Sequence, residues 1–307
     1  MNIEKLSVGN AAGTIKSMLD VERACGNNAM TAITVGSITV KPRKGNIKDS
    51  GNGRVYYFDE NGGWSLNSLG LPNYGIEEYM KQLPFMARKA HGAGRELRVS
   101  VAGESPQEYA DLTDECHKCC ADVVELNLGC PNVWGADGAQ KPIPSYRPEL
   151  TKRILLTVRS ILKNGRKVDV KISPVEEPST LRELALVFAN SNCVDNVVGT
   201  NTIPNHDRMG SDFAPALSFN NGNHLGGLAG SELYSESLRV HKKMCEHLPQ
   251  EIGYIAVGGI SNGGAVFRHC QLGAVGFQSG TGYYQEGPRV FSPILAQLAE
   301  LVDQPAS

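Results

Sequence analysis

The feature that most constrains the fold is a regular alternation, along 307 residues, between short apolar runs and longer segments of helical period. Each run is rich in apolar or β-branched residues and leads into a turn rich in Gly, Asn, Ser or Pro, the pattern of a buried strand followed by a helix. The eight runs are residues 29–37, 64–68, 97–103, 123–129, 168–173, 196–202, 254–258 and 275–280. Eight parallel strands close a (β/α)8 TIM barrel, so we predict that α/β fold; a doubly wound open sheet is the alternative.

The segments between the runs have the ends and faces of helices. Ser105, Pro106 and Glu108 occupy the N-cap, N1 and N3 positions of a helix that should run to about Cys120. Further helices are predicted at 148–163, 180–189, 232–247, 262–272 and 288–301. Pro84 lies inside the helical segment 76–91 and predicts a kink or an early stop.

Two stretches, 45–63 and 203–230, are long, polar and rich in Gly and Asn, and we interpret them as loops. Each follows a predicted strand, and strand-to-helix loops build the active site of a TIM barrel. Because no internal repeat or low-complexity linker interrupts the series, we expect residues 1–307 to form a single domain.

Composition excludes several classes of protein. With 30 Lys and Arg against 32 Asp and Glu, the net charge is −2, without the basic excess of a phosphate-contacting nucleic-acid binder. No signal peptide or membrane-length apolar stretch is present, so we expect a cytoplasmic protein that binds neither nucleic acid nor membrane. The eight cysteines are too sparse for a disulfide scaffold, and the cluster at 116–120 has no second ligand pair for zinc, so no metal is expected.

Polar residues collect where several predicted strands end. If the strands are parallel, these carboxyl ends share one face of the barrel. Carboxamides donate and accept hydrogen bonds, which suits a neutral ring carrying alternating N–H and C=O groups. The thiol of Cys130 can act as a base or a nucleophile once its pKa is matched to the task. Because no His lies nearby in the sequence, a Cys/His hydrolase is not indicated. The residues at this rim are Asn67, Ser100, Asn127, Cys130, Lys171, Asn201 and Thr202.

The last two predicted strands end in glycine turns, Gly258-Gly259 and Gly280-Thr281, and each precedes a helix. Backbone N–H groups at such helix starts favour an anion, which predicts a phosphate site. Lys171 would point a cation into the barrel mouth, where an electron-rich cofactor is a suitable partner. The 34 glycines of the chain, unusually many, agree with backbone that turns sharply or approaches a ligand.

Taken together, these motifs identify a family. The chain resembles, over nearly all its length, the class 1A dihydroorotate dehydrogenases, FMN-containing TIM barrels of pyrimidine biosynthesis. The segments ELNLGCPN and LNSLGLPN are the most specific. The matching stretches are Asn10-Ala-Ala-Gly13, Ser65-Leu-Asn-Ser-Leu-Gly-Leu-Pro-Asn73, Glu125-Leu-Asn-Leu-Gly-Cys-Pro-Asn-Val133, Val170-Lys171, Asn201-Thr202, Gly226-Gly-Leu-Ala-Gly230, Val257-Gly-Gly-Ile260, Gly280-Thr281 and Glu286-Gly-Pro288.

The resemblance implies a role for each matching residue. Cys130 corresponds to the catalytic base, which takes a proton from C5 of the dihydropyrimidine while a hydride leaves C6 for the flavin. Lys171 corresponds to the lysine beside the N1/O2 edge of the flavin. The implied substrate contacts are Asn67, Ser68, Leu69, Gly70, Leu71, Asn127, Asn132, Asn201 and Thr202. The implied FMN contacts are Ala12, Gly13, Gly36, Ser37, Ser100, Asn127, Lys171, Thr200, Gly230, Gly258, Gly259, Gly280 and Thr281.

One departure affects the substrate. The family carries a lysine at the end of the first strand, touching flavin and substrate, where this chain has Gly36. Its loss would remove a charge-assisted partner of the orotate carboxylate, on the order of 1.5 to 3 kcal/mol. Besides oxidation of dihydroorotate, two alternatives therefore stay open: a paralogue acting on an uncharged dihydropyrimidine-like ring, and a non-catalytic flavin-binding barrel. The resemblance also implies a homodimer and fumarate as electron acceptor.

Overall fold

The computed structural model describes residues 2–46, 53–134, 139–219 and 223–303. The strands are β1 (Ser7–Asn10), β2 (Ala32–Ile38), β3 (Tyr56–Asp59), β4 (Trp64–Asn67), β5 (Glu96–Val101), β6 (Val123–Asn127), β7 (Lys167–Ile172), β8 (Asn196–Gly199), β9 (Ile203–His206), β10 (Gly226–Gly230), β11 (Gly253–Ala256) and β12 (Gly276–Ser279). The helices are α1 (Met18–Cys25), α2 (Ile76–Gly92), α3 (Pro106–Lys118), α4 (Pro148–Ile161), α5 (Pro178–Ser191), α6 (Tyr234–Cys245), α7 (Gly263–Gln271), α8 (Thr281–Glu286) and α9 (Phe291–Asp303).

Eight parallel strands close into a barrel in the order β1-β12-β11-β8-β7-β6-β5-β2. The predicted (β/α)8 fold is therefore confirmed, and the open-sheet alternative is wrong. The main apolar core lies between the barrel and its helices, while Ala11, Val198, Ile255 and Val257 form a separate cluster. Successive residues of a strand face opposite sides of the barrel wall, so Val198 and Ile255 face the interior while Val197 and Tyr254 face the helices.

One of the eight predicted barrel strands is wrong. Residues 64–68 do form a strand, β4, but it pairs antiparallel with β3 and β10 outside the barrel. The missing barrel member is β1, which has four residues and, in Val8, a single large apolar side chain. So short a run carries too weak a hydrophobic pattern to be read as a strand. The predicted count of eight is correct because these two errors cancel.

The two stretches interpreted as loops contain strands as well. Residues 45–63 include β3, and residues 203–230 include β9 and β10, which join β4 in a sheet of order β3-β4-β10-β9. Trp64, Leu66 and Leu228 pack one face of this sheet into a small core of its own. The alternate residues of β4 and β10, which include Ser65 and Asn67, line a cavity on the other face.

The predicted helices form, with end points that differ by a few residues. The Ser105 hydroxyl accepts a hydrogen bond from the Glu108 backbone N–H at 3.2 Å, as the cap at α3 predicts. Helix α2 does not stop at Pro84 but continues to Gly92, because Tyr79, Leu83 and Met86 are buried against the rest of the protein. Among the described residues, no helix combines the length and the apolar character needed to cross a bilayer.

Candidate active site

A cavity of about 310 Å³ is enclosed by the barrel and the β3-β4-β10-β9 sheet. Its wall is formed at the carboxyl ends of the barrel strands, where the active sites of TIM barrels lie. Thirteen residues that the family resemblance implies as contacts line it: Ala12, Gly13, Asn67, Leu69, Lys171, Thr200, Asn201, Thr202, Gly230, Gly258, Gly259, Gly280 and Thr281. The structure thus brings residues from both ends of the chain to one cavity.

The glycine turns after β11 and β12 lie together on this wall, as predicted. Gly258 and Gly259 have φ values of +112° and +70°, a backbone region that side chains disfavour. A Cβ at Gly259 would lie 2.5 Å from the Tyr234 side chain, so helix α6 packs directly on this turn. The hydroxyls of Thr281 and Ser65, both of which line the cavity, hydrogen-bond at 2.8 Å, which ties the start of α8 to β4.

The predicted rim carboxamides form a connected network. Asn201 Nδ2 donates to Asn127 Oδ1 at 3.3 Å, and Asn127 Nδ2 donates to Ser37 Oγ at 2.8 Å. Ser37 Oγ in turn lies 2.9 Å from Ser100 Oγ. Asn127, Ser37 and Ser100 do not line the cavity, so they support its wall by orienting Asn201.

A second carboxamide pair lies beside this network. Asn132 Nδ2 donates to Asn67 Oδ1 at 3.0 Å, which joins the loop after β6 to the end of β4. The hydroxyls of Thr200 and Thr202 are buried and have no hydrogen-bond partner within the described part of the chain, although both residues line the cavity. Buried polar groups rarely remain unpaired, so these hydroxyls are suited to a bound ligand.

Residues 68–71 form a tight turn that is held from behind by Asn46. Asn46 Nδ2 donates to the carbonyl oxygens of Ser68 at 2.9 Å and of Asn132 at 3.2 Å. Gly70 has φ of +73°, and a Cβ there would overlap the Asn46 carboxamide, so glycine is required. Leu71 also has a positive φ, +56°. In this group of predicted contacts, only Leu69 lines the cavity itself.

Cys130 lies three residues beyond β6, outside the cavity lining but within electrostatic range of Lys171. Burial raises the pKa of its thiol to about 11, while a hydrogen bond from the Asn132 backbone N–H and the positive charges of Arg43 and Lys171 act in the opposite direction. The thiol is therefore protonated at neutral pH. It becomes a base only after it loses that proton.

Lys171 projects from β7, is 4% exposed and lines the cavity. Its Nζ donates to Gln278 Oε1 at 3.4 Å. Burial lowers the pKa of the ammonium, and the negative charge of Glu125 opposes this effect. Because an ammonium has three donors, Lys171 retains the capacity to bond a ligand in the cavity.

Comparison with known proteins supplies the family. The family model for dihydroorotate dehydrogenase matches residues 5–302. This chain belongs to the dihydroorotate dehydrogenase family. It is 32% identical to the probable dihydroorotate dehydrogenase A (fumarate) of Enterococcus faecalis, over 95% of this chain and 89% of that one. It is 31% identical to the dihydroorotate dehydrogenase (fumarate) of Lachancea kluyveri, over 84% of this chain and 79% of that one.

Other dihydroorotate dehydrogenases are similar at greater distance. The catalytic subunit of dihydroorotate dehydrogenase B (NAD(+)) of Methanocaldococcus jannaschii is 26% identical, over 89% of this chain and 82% of that one. The fold is shared with the crystal structure of DHODH from Eimeria tenella in complex with ferulenol, with a TM-score of 0.77 and 20% identity over 97% of this chain and 82% of that one. The protein is therefore an oxidoreductase of the dihydroorotate dehydrogenase family with a TIM-barrel fold.

Within this dihydroorotate dehydrogenase fold, Gly36 does not line the cavity. Its φ is +118°, and a Cβ there would overlap the backbone carbonyl oxygen of Ser100 in the adjacent strand. The glycine thus fits the backbone at the end of β2 and does not itself enlarge the cavity. Lys41, the nearest lysine after it in the chain, is exposed.

Sequence reasoning missed the part of the wall formed by the antiparallel sheet. Tyr56 and Phe58 of β3 line the cavity with Tyr284 of α8, and the rings of Tyr56 and Tyr284 lie 4.2 Å apart. The alternation of Tyr56 and Phe58 is a strand signal, but the glycine-rich surroundings hid it. Asn46 was missed as well, because its contacts come from segments distant in the chain.

Proposed function

We propose that the protein is an FMN-dependent dihydroorotate dehydrogenase that oxidises dihydroorotate to orotate in pyrimidine biosynthesis. One observation carries the proposal: a single cavity is lined by the glycine turns at 258–259 and 280, by Lys171, and by Asn67 and Asn201. Such a wall provides an anion site, a cation and amide groups for a polar ring. The names of the fumarate-type relatives support the substrate.

The residues present fit a flavin mononucleotide. The unpaired, buried hydroxyls of Thr200 and Thr202 offer hydrogen bonds, and the Gly258-Gly259 turn leaves backbone exposed to the cavity without side chains. In this proposal the cofactor is also held by Ala12, Gly13, Gly230, Gly280 and Thr281. When bound, FMN would accept two electrons.

Cys130 is the proposed base that receives a proton from C5 of the substrate. Its thiolate is stabilised by the Asn132 backbone N–H and by the charges of Lys171 and Arg43, and is destabilised by burial. Because the pKa of the thiol is raised, the thiolate is a stronger base, which favours removal of a weakly acidic C–H proton once the thiolate has formed.

The carboxamides orient the ring. A hydrogen bond from Asn132 fixes the carboxamide of Asn67, and a hydrogen bond to Asn127 fixes that of Asn201. The orientation of the oxygen and nitrogen of each amide is therefore set. Among the described residues, Lys171 is the one Lys or Arg that lines the cavity. A dihydroorotate carboxylate therefore depends on neutral donors and on Lys171 for its recognition.

Anaerobic mixing of the yellow holoprotein with dihydroorotate, and separately with dihydrouracil, tests the proposal. We expect dihydroorotate to bleach the flavin absorbance and Cys130→Ala to slow that bleaching. Bleaching by dihydrouracil alone would refute dihydroorotate as substrate and favour the paralogue with an uncharged ring. A bound flavin that neither compound bleaches would favour the non-catalytic barrel.

Three further parts of the proposal remain to be tested: the acceptor and the homodimer, which rest on the family resemblance, and the single domain, which rests on the uninterrupted series of strands and helices. Fumarate is the proposed electron acceptor, which reoxidation of the reduced protein by fumarate tests. A homodimer is proposed, which light scattering tests. A single domain over residues 1–307 is proposed, for which one cooperative unfolding transition is expected. The cytoplasmic location stays a prediction.

A further inference from the structure

Lys171 is connected to a buried carboxylate through one intervening side chain. Lys171 Nζ donates to Gln278 Oε1 at 3.4 Å, and Gln278 Nε2 donates to Glu125 Oε2 at 3.0 Å. The three residues lie on β7, β12 and β6 and are 4%, 3% and 0% exposed. A chain of hydrogen bonds therefore runs across the barrel interior from the cavity wall to Glu125.

The donors and acceptors set the direction of this chain. An ammonium only donates and an ionised carboxylate only accepts, so the amide of Gln278 must turn its oxygen to Lys171 and its nitrogen to Glu125. The amide dipole then lies with its negative end on the cation and its positive end on the anion. Leucine at position 278 would break both links.

A neighbouring group of charges in the barrel interior is already paired. Arg98 Nη1 lies 2.7 Å from Asp169 Oδ2, and Arg98 Nε lies 2.6 Å from Glu96 Oε1. The second oxygen of Asp169 accepts from Asn196 Nδ2 at 2.8 Å. This neighbouring cluster needs no further anion.

Glu125 makes no direct ion pair with that cluster, although its charge also acts on Arg98 and Asp169. Its Oε1 is buried and has no hydrogen-bond partner in the described segments of the chain, and neither Glu125 nor Lys171 forms a direct ion pair with a described residue. A buried charge needs an opposite charge. Lys171 and Glu125, which form no direct ion pair with a described residue, are thus connected by Gln278.

We propose that Glu125 is the counterion of Lys171 and that, acting through Gln278, it keeps the ammonium protonated and fixed at the cavity wall. Glu125 and Gln278 are positioning residues, since neither of them lines the cavity. The role of the ammonium toward a flavin rests on the proposed function, whereas the link between Glu125 and Lys171 does not.

The charges that act on Lys171 agree with this arrangement. Burial lowers the pKa of the ammonium, and the negative charges of Glu125 and of the Cys130 thiolate raise it, with Glu125 the larger of the two. Since the Cys130 thiol is protonated at neutral pH, Glu125 is the anion that acts on Lys171 there. Desolvation is already the larger effect, so without Glu125 it would go largely unopposed and Lys171 would lose its proton at still lower pH.

The titration of Lys171 tests the inference directly. In the full chain labelled with 13C at lysine Cε, the Lys171 signal, assigned by its loss in Lys171→Met, is followed against pH. Glu125→Gln, which preserves shape and removes the charge, should lower the midpoint by about one to two pH units, for an ion pair bridged by an amide at an effective dielectric of about 20. Glu251→Gln, the same change at an exposed residue, is the matched control and should leave the midpoint unchanged.

A rescue separates charge from shape. In the double variant Glu125→Gln/Gln278→Glu the carboxylate moves from position 125 to position 278, directly beside Lys171. The midpoint of the Lys171 titration should then return to or exceed the wild-type value. A midpoint within about 0.3 pH units of wild type in Glu125→Gln would overturn the proposal. A drop that Gln278→Glu does not reverse would also overturn it, because Glu125 would then act only through the fold. If Glu125→Gln does not fold, Gln278→Leu, which breaks both links of the hydrogen-bond chain, must lower the midpoint.

A second readout uses the bound flavin. The reduction potential measured against pH changes slope where Lys171 titrates, and in Glu125→Gln that change should move to lower pH together with the NMR midpoint. Failure of dihydroorotate to bleach the flavin would refute the proposed function and leave the titration result standing. An NMR midpoint that does not move would refute the counterion and leave the proposed function standing.

Discussion

Introducing a lysine at position 36 is expected to destabilise this protein. Gly36 has φ of +118°, and a Cβ would overlap the carbonyl oxygen of Ser100 and lie 3.0 Å from the backbone nitrogen of Ile38. Backbone strain of this kind costs about 1–3 kcal/mol, and overpacking against a buried strand costs about 1–3 kcal/mol more. The backbone cannot shift easily, because the Gly36 N–H donates to Ile15 at 3.0 Å and its carbonyl accepts from Gly13 at 2.7 Å. The expected loss in the free energy of unfolding is therefore about 2–6 kcal/mol.

Urea unfolding followed by far-UV circular dichroism measures this loss. Gly36→Ala isolates the backbone and Cβ contributions, so it should account for most of the effect of Gly36→Lys. The matched control is Gly92→Ala at the end of α2, where a Cβ would meet nothing within 4 Å, and no loss is expected. If Gly36→Ala unfolds within about 0.5 kcal/mol of wild type, the end of β2 is more adaptable than argued, and the glycine is not required by the backbone.

Further predictions concern the base, the buried histidines and the substrate turn. Because burial raises the pKa of Cys130 to about 11, the rate of flavin reduction by an accepted substrate should rise from about pH 7 to pH 10 and fall by about 10²–10⁴-fold in Cys130→Ala; an equal rate in the variant would refute the base. Burial lowers the folded-state pKa of His241 to about 3 and of His269 to about 4, and their Nδ1 atoms lie 2.9 Å apart. The unfolded chain therefore binds more protons than the folded protein below about pH 6.5, and stability present at neutral pH should fall by about 3–6 kcal/mol at pH 4; urea midpoints that do not change would contradict this. Gly70→Ala, which brings a Cβ against Asn46, should cost about 1–3 kcal/mol in urea unfolding and weaken substrate binding in a titration of the bound flavin; unchanged affinity would exclude this turn from the site.

The local sequence accounts for much of the barrel. Seven of its strands and most of its helices follow from apolar runs, caps such as Ser105 and glycine turns, because these signals depend on neighbours a few residues apart. The run at 64–68 forms a strand as predicted, but outside the barrel, because the sequence of a strand does not determine which other strand it pairs with. β4 pairs with β10, more than 150 residues later, and no short-range pattern contains that information.

The sequence by itself indicated which chemical groups this protein brings to its cavity: Asn67, Asn201, Lys171 and the glycine turns lie at or near the ends of predicted strands, and all of them line one cavity. Only the tertiary structure decided how those groups are held. The link from Lys171 to Glu125 runs through Gln278 on the last barrel strand, and the requirement for glycine at position 36 comes from a carbonyl group on a neighbouring strand. The physical reason is that a closed barrel joins residues from distant parts of the chain across its interior, where burial makes each charge and each backbone overlap costly.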